Sequence, residues 1–170
     1  MKKKTNKLPE RSKIPVEMTW DLDKLYPDIA LWEKDFASLD QLLKDFMSLK
    51  GRLGDSPETL LDAMRKNDAL ERRLEKVYTW AHLRADENTA DSANSSRLDK
   101  VTAKYSDIEG ATAWFEPEML ALPEDRFKTY LDSPSLAFYR RSLEELLRDR
   151  PHTLSEPEEK ILGMASDALS

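Results

Sequence analysis

The apolar residues of this chain recur at helical spacing, and little else in it has a rhythm. Ile29, Trp32, Phe36, Leu39, Leu43 and Phe46 are separated by 3, 4, 3, 4 and 3 residues, the repeat that places side chains on one face of an α-helix. Leu98, Val101, Tyr105, Ile108, Thr112, Phe115 and Met119 continue it as 3, 4, 3, 4, 3 and 4. No run of β-branched residues alternates with polar ones, so strands have no place to form. The expected fold is all-α: about six amphipathic helices in an antiparallel or irregular helical bundle, with no sheet.

Punctuation residues set the boundaries. Pro9 and Pro15 block helix near the start, and residues 1–19 read as an extended, basic, partly mobile N-terminal arm. Residues 20–170 read as a single helical domain, with Trp20 as its first large anchor. Gly51 and Gly54 close the first helix, and Ser56-Pro57-Glu58 has the form of an N-cap followed by proline at the first helical position. Leu60, Met64, Leu70, Leu74, Val77, Tyr78 and Ala81 carry the second helix toward Asp86, and the polar run from Asp91 to Ser96 marks a turn or cap. Pro117 should kink or restart the third helix, and Pro123-Glu124-Asp125 opens a short one bearing Phe127, Tyr130 and Leu131. Beyond Pro134, the residues Leu136, Tyr139, Leu143, Leu146 and Leu147 make another stripe, and Ser155-Glu156-Pro157-Glu158 has capping-box spacing. The last helix would carry Ile161, Leu162, Ala165 and Leu169, and Ser170 follows with no Gly, Asn or basic residue as a cap. That pattern suggests truncation within the last helix. The expected core includes Trp20, Trp32, Phe36, Leu74, Tyr78, Tyr105, Ile108, Phe115, Tyr139 and Leu143.

Charge and composition narrow the function. The net charge is −6 overall and +5 within the first thirteen residues, and therefore −11 after them. An acidic body lacks the basic face that phosphate contacts require, so no nucleic-acid partner is expected. No stretch reaches the ~18 uninterrupted apolar residues of a membrane helix, so no membrane span is expected either. The lysine-rich start precedes no apolar segment of the kind a secretory signal carries. Without a cysteine, there is no disulfide, thiolate nucleophile or cysteine metal site. A cysteine-free chain suits a reducing compartment, and cytoplasmic residence is the expectation.

Catalytic constellations are missing as well. His82 and Asp86 lie four apart on the second helix, which makes a surface pair but supplies only two candidate ligands. His152 sits in the loop Arg150-Pro151-His152-Thr153, where a loop-anchoring hydrogen bond is the simpler role. Neither histidine begins an H-E-x-x-H motif, and there is no phosphate-cradling glycine loop or G-x-S-x-G elbow. Glu156 and Glu159 lack the paired Glu-x-x-His of a di-iron bundle. Trp32, Phe36, Tyr78, Trp80, Trp114 and Phe115 fall on the stripes and read as packing residues. No catalytic, cofactor-binding or metal-binding residue is therefore assigned in this chain, and no cofactor is expected to bind it.

Particular words in the sequence carry more. Arg11-Ser12-Lys13-Ile14-Pro15, then Thr19-Trp20-Asp21-Leu22, Tyr26 and Trp32-Glu33, resemble the opening of the oligoendopeptidase F family. Val77-Tyr78-Thr79-Trp80-Ala81-His82-Leu83-Arg84, Phe115-Glu116-Pro117-Glu118, and the run from His152 to Glu159 follow in that family's order. The resemblance implies the N-terminal helical part of a zinc metallopeptidase, related to thimet oligopeptidase, that cuts short peptides. Its zinc ligands and general base, an H-E-x-x-H helix and a later glutamate, would lie in a C-terminal catalytic part of the same polypeptide. None of them has a matching position here. The helices would then form one wall of the channel over the zinc centre, and the chain alone would be inactive.

Two other readings compete with the channel wall: a free-standing helical protein–protein interaction module, and a purely structural bundle. The uncapped final stripe favours an unfinished chain, which should expose apolar surface and self-associate.

Overall fold

A computed structural model describes residues 13–150. The basic residues before Lys13, His152, the capping box at Ser155 and the stripe from Ile161 to Leu169 lie outside the described residues. Among those described there are six α-helices and no strand: α1 (Ile29–Met47), α2 (Pro57–Glu87), α3 (Ser92–Thr112), α4 (Phe115–Leu120), α5 (Glu124–Leu131) and α6 (Arg140–Asp149). Short 3₁₀ turns occur at Val16–Met18, Leu22–Lys24 and Pro134–Leu136. Contacts group the chain into two compact units. Among the described residues, one unit comprises 13–50 and 63–113, and the other 51–62 and 114–150.

The first unit is built on long helices. Asp28 caps α1 by accepting the Leu31 N–H at 2.8 Å, and Asp91 caps α3 by accepting from Ala93 and Asn94, so each start satisfies donors that the helix leaves open. Trp32, Leu39 and Phe46 are the buried positions of α1, seven residues apart and so on one face. Leu70, Leu74, Val77, Trp80 and Ala81 supply α2's buried face, and Val101 and Ile108 supply that of α3. The helices α1 and α3 pack together, with Lys104 donating to Asp40 at 2.8 Å.

Trp20 departs from expectation: it is 54% exposed. The turn at Leu22–Lys24 instead sends Leu22 and Tyr26 into the core. Those two lie four residues apart on the same face, and Trp20 falls outside it. Phe36, Tyr78 and Tyr105 are half-buried rather than enclosed.

In the second unit α4 and α5 each pack against α6. Its buried side chains are Leu53, Leu60, Phe115, Met119, Leu122, Phe127, Tyr130, Leu136, Tyr139 and Leu143. The stripe ending at Met119 breaks after Thr112, and α4 restarts at Phe115. Pro117 is thus the third residue of α4, where a missing N–H costs no intrahelical bond. Ser56 caps α2 as expected, its Oγ accepting from the Thr59 N–H at 3.1 Å. Between α1 and α2, Gly51 takes φ +78°, a left-handed conformation that favours glycine. At Gly54 a β-carbon would come within 2.9 Å of Leu122 Cδ2.

Candidate functional site

The chemistry-bearing side chains of the first unit gather beside an aromatic cluster. Trp32 stacks on Phe36 with ring centroids 5.2 Å apart, and Trp80 lies 5.9 Å from both Trp32 and Tyr26. Leu22, Val77, Ala81 and Val101 complete this core. Along its edge runs a polar chain. Tyr26 Oη donates to Asp35 at 2.9 Å, and Arg73 donates to the other oxygen of Asp35 and to Ser38. Burial, reinforced by the hydrogen bond to Asp35 and its negative charge, pushes the Tyr26 phenol well above its ordinary value. A phenol held protonated in this way is a structural donor, not a general base.

The two indoles differ in one respect. Trp32 Nε1 donates to the Val77 carbonyl at 2.9 Å. Trp80 is as deeply buried, yet its Nε1 meets no acceptor among the described residues.

His82 and Asp86 pair as expected, Nδ1 to Oδ2 at 3.1 Å, with both side chains about half exposed. Tyr78 packs on His82, and Tyr105 on Tyr78. No third ligand joins them: among the described residues no group of three His, Asp or Glu side chains could hold a metal ion. A zinc centre does not fit the described residues. His152 lies outside the described residues.

In the second unit a different polar arrangement appears, one that no periodicity announces. The Glu118 carboxylate accepts the N–H of Gly51 at 2.7 Å and that of Leu53 at 2.9 Å. The Gly54 carbonyl accepts from Tyr130 Oη at 2.8 Å and Arg126 at 3.0 Å. The glycines mark a turn in the sequence, but its anchors lie more than 60 residues away. These contacts fix a loop. They place no nucleophile beside a base among the described residues.

Comparison with known proteins supplies what the geometry does not. Residues 118–170 match the family described as Oligopeptidase F. Oligopeptidase PepF of Bacillus subtilis is 37% identical over 168 residues, which is 98% of this chain and 25% of that protein. Group B oligopeptidase PepB of Streptococcus agalactiae is 33% identical over 158 residues, 92% of this chain and 26% of its own length. The solved structure of oligoendopeptidase-F from Enterococcus faecium shares the fold at a TM-score of 0.69 and 27% identity, over 83% of this chain and 28% of that one. The chain spans about a quarter of the length of the relatives it matches.

Proposed function

Because the chain belongs to the oligopeptidase F family, as the N-terminal helical part of a longer protein, we propose that its parent hydrolyses short peptides and that these helices form one wall of the channel leading to the catalytic centre. The similarity to PepF across 98% of this chain, against only a quarter of PepF's length, carries this reading. The catalytic zinc would be bound in the C-terminal part of the same polypeptide. A narrow channel admits flexible oligopeptides and excludes folded chains, so selectivity here is steric rather than chemical. The acidic body would shape the field in that channel. A cytoplasmic location belongs to the same proposal.

The test is cleavage rate against peptide length for the whole parent and for a version lacking residues 1–170. Loss of activity, or extension of cleavage to longer and folded substrates, is the expected result. An unchanged length profile would remove the channel-wall role and bring the interaction-module reading forward.

A further inference from the structure

Nothing in a channel-wall role calls for the word Phe115-Glu116-Pro117-Glu118, yet the structure engages both of its ends. Phe115 and Met119 are buried, and Glu118, three residues on from Phe115, shares their face of α4. Packing of that face carries the Glu118 carboxylate to the loop between α1 and α2. There it is held at both oxygens: Oε2 accepts from the Gly51 N–H at 2.7 Å, and Oε1 from the Leu53 N–H at 2.9 Å. No cation pairs with Glu118 among the described residues. Its charge is met by two backbone amides, each through a charge-assisted hydrogen bond. We propose that the backbone from Gly51 to Leu53 is a carboxylate-binding site, and that Glu118 is its built-in occupant.

The cradle is held in shape by contacts that do not involve its occupant. Gly51 takes φ +78°, and a left-handed residue in a turn lets neighbouring amides converge on one anion. Lys50 N–H donates to the Met47 carbonyl at 3.2 Å, and Asp55 N–H to the Arg52 carbonyl at 3.0 Å. Leu53 is fully enclosed, and Tyr130 and Arg126 hold the Gly54 carbonyl. The turn is thus fixed on both sides, so its two free amides stay converged when the carboxylate is removed. Arg52 lies between them in sequence but pairs with Asp55 at 3.1 Å, which leaves the anion to the backbone. Two donors facing two oxygens select a carboxylate, because a carboxamide offers one acceptor and an –NH2 that cannot accept. Gly51 is exposed, so a free anion can reach the site.

Hydrogen exchange of the full-length parent, read on peptides spanning Gly51 to Leu53, tests this by chemical rescue. Glu118→Ala should speed exchange there about tenfold, while α1 and α3 stay protected. Acetate should slow it again, saturably. Acetamide, the neutral isostere, and chloride at equal ionic strength should not. The unaltered parent, its site already filled, should ignore acetate. Glu118→Gln leaves no cavity and so covers the case in which alanine prevents folding; it should protect no more than one of the two amides. The proposal is overturned if acetate fails to rescue Glu118→Ala, or if acetamide rescues it equally well. Acetate protection of the unaltered parent to the same degree overturns it too, as does a glutamine that protects both amides. None of these readings involves peptide cleavage, so the site and the channel-wall role can fail separately.

Discussion

The two units solve one problem differently. In the first, long helices satisfy their own backbone, and much of the polar side-chain contact is between side chains: Tyr26 with Asp35, Arg73 with Asp35 and Ser38, Lys104 with Asp40. In the second, side chains from α4 and α5 reach the backbone of one irregular loop, Glu118 to two amides and Tyr130 and Arg126 to one carbonyl. Backbone groups that no helix pairs must find partners elsewhere. The polar contacts of a fold are thus dictated by where regular structure stops.

The harshest test of that contrast is to remove apolar mass from each unit. Phe46 and Phe127 are at most 1% exposed, and replacing either by alanine should cost about 3–5 kcal/mol in urea melts. Phe36→Ala, at a half-buried position, should cost distinctly less. A loss above 3 kcal/mol there would mean that α1 packs in another register. Next in size is Glu118→Ala, which strips two loop amides of their acceptor and should cost about 1–3 kcal/mol. Hydrogen exchange at Gly51 and Leu53 should accelerate while α1 and α3 stay protected. Were both units to loosen equally, the loop would not be a local device.

A finer cut separates the two indoles. Trp32→Phe removes a buried hydrogen bond that Trp80 does not make, while the Val77 carbonyl keeps its place in the α2 ladder, so it should cost about 1 kcal/mol more than Trp80→Phe. Equal losses would mean that Trp80 Nε1 has an acceptor after all. The smallest effect concerns pH. Tyr26 and Tyr130 both have phenol pKa values raised above the ordinary 10.0, chiefly by burial. The folded state then holds protons that the unfolded state releases above pH 10, so this stabilisation is complete below that pH and is lost as pH rises beyond it. Alkaline unfolding should begin near pH 10, and Tyr26→Phe should flatten it. If stability were level from pH 9 to 12, neither phenol would be buried as described.

Much of the helical framework was legible because it repeats. The Ser56 and Pro57 start of α2, the cap near Asp91 and the break around Pro117 are local chemistry, decided by neighbours within a few residues. Size alone suggests burial for Trp20, whereas the facing of a 3₁₀ turn decides its exposure and leaves no mark on helical periodicity. The Asp35–Arg73 pair and the Glu118 contacts were not legible at all. Each spans 38 residues or more, and a charged residue on a helix reads the same whether it faces water or a distant partner. The family resemblance rests on short words, each of them local.

The division of the chain also bears on its synthesis. Residues 51–62 belong with residues that follow 114, and the whole of 63–113 intervenes. At roughly 5–20 residues per second, a ribosome takes about 3–10 s to make that stretch. During this interval the segment with Leu53 and Leu60 has been made but Glu118, Tyr130 and Phe127 have not. The first unit, complete at Ala113, can close meanwhile around a twelve-residue excursion. A growing chain therefore carries its loop unclaimed for seconds, and that interval is where a chaperone or a protease would find it.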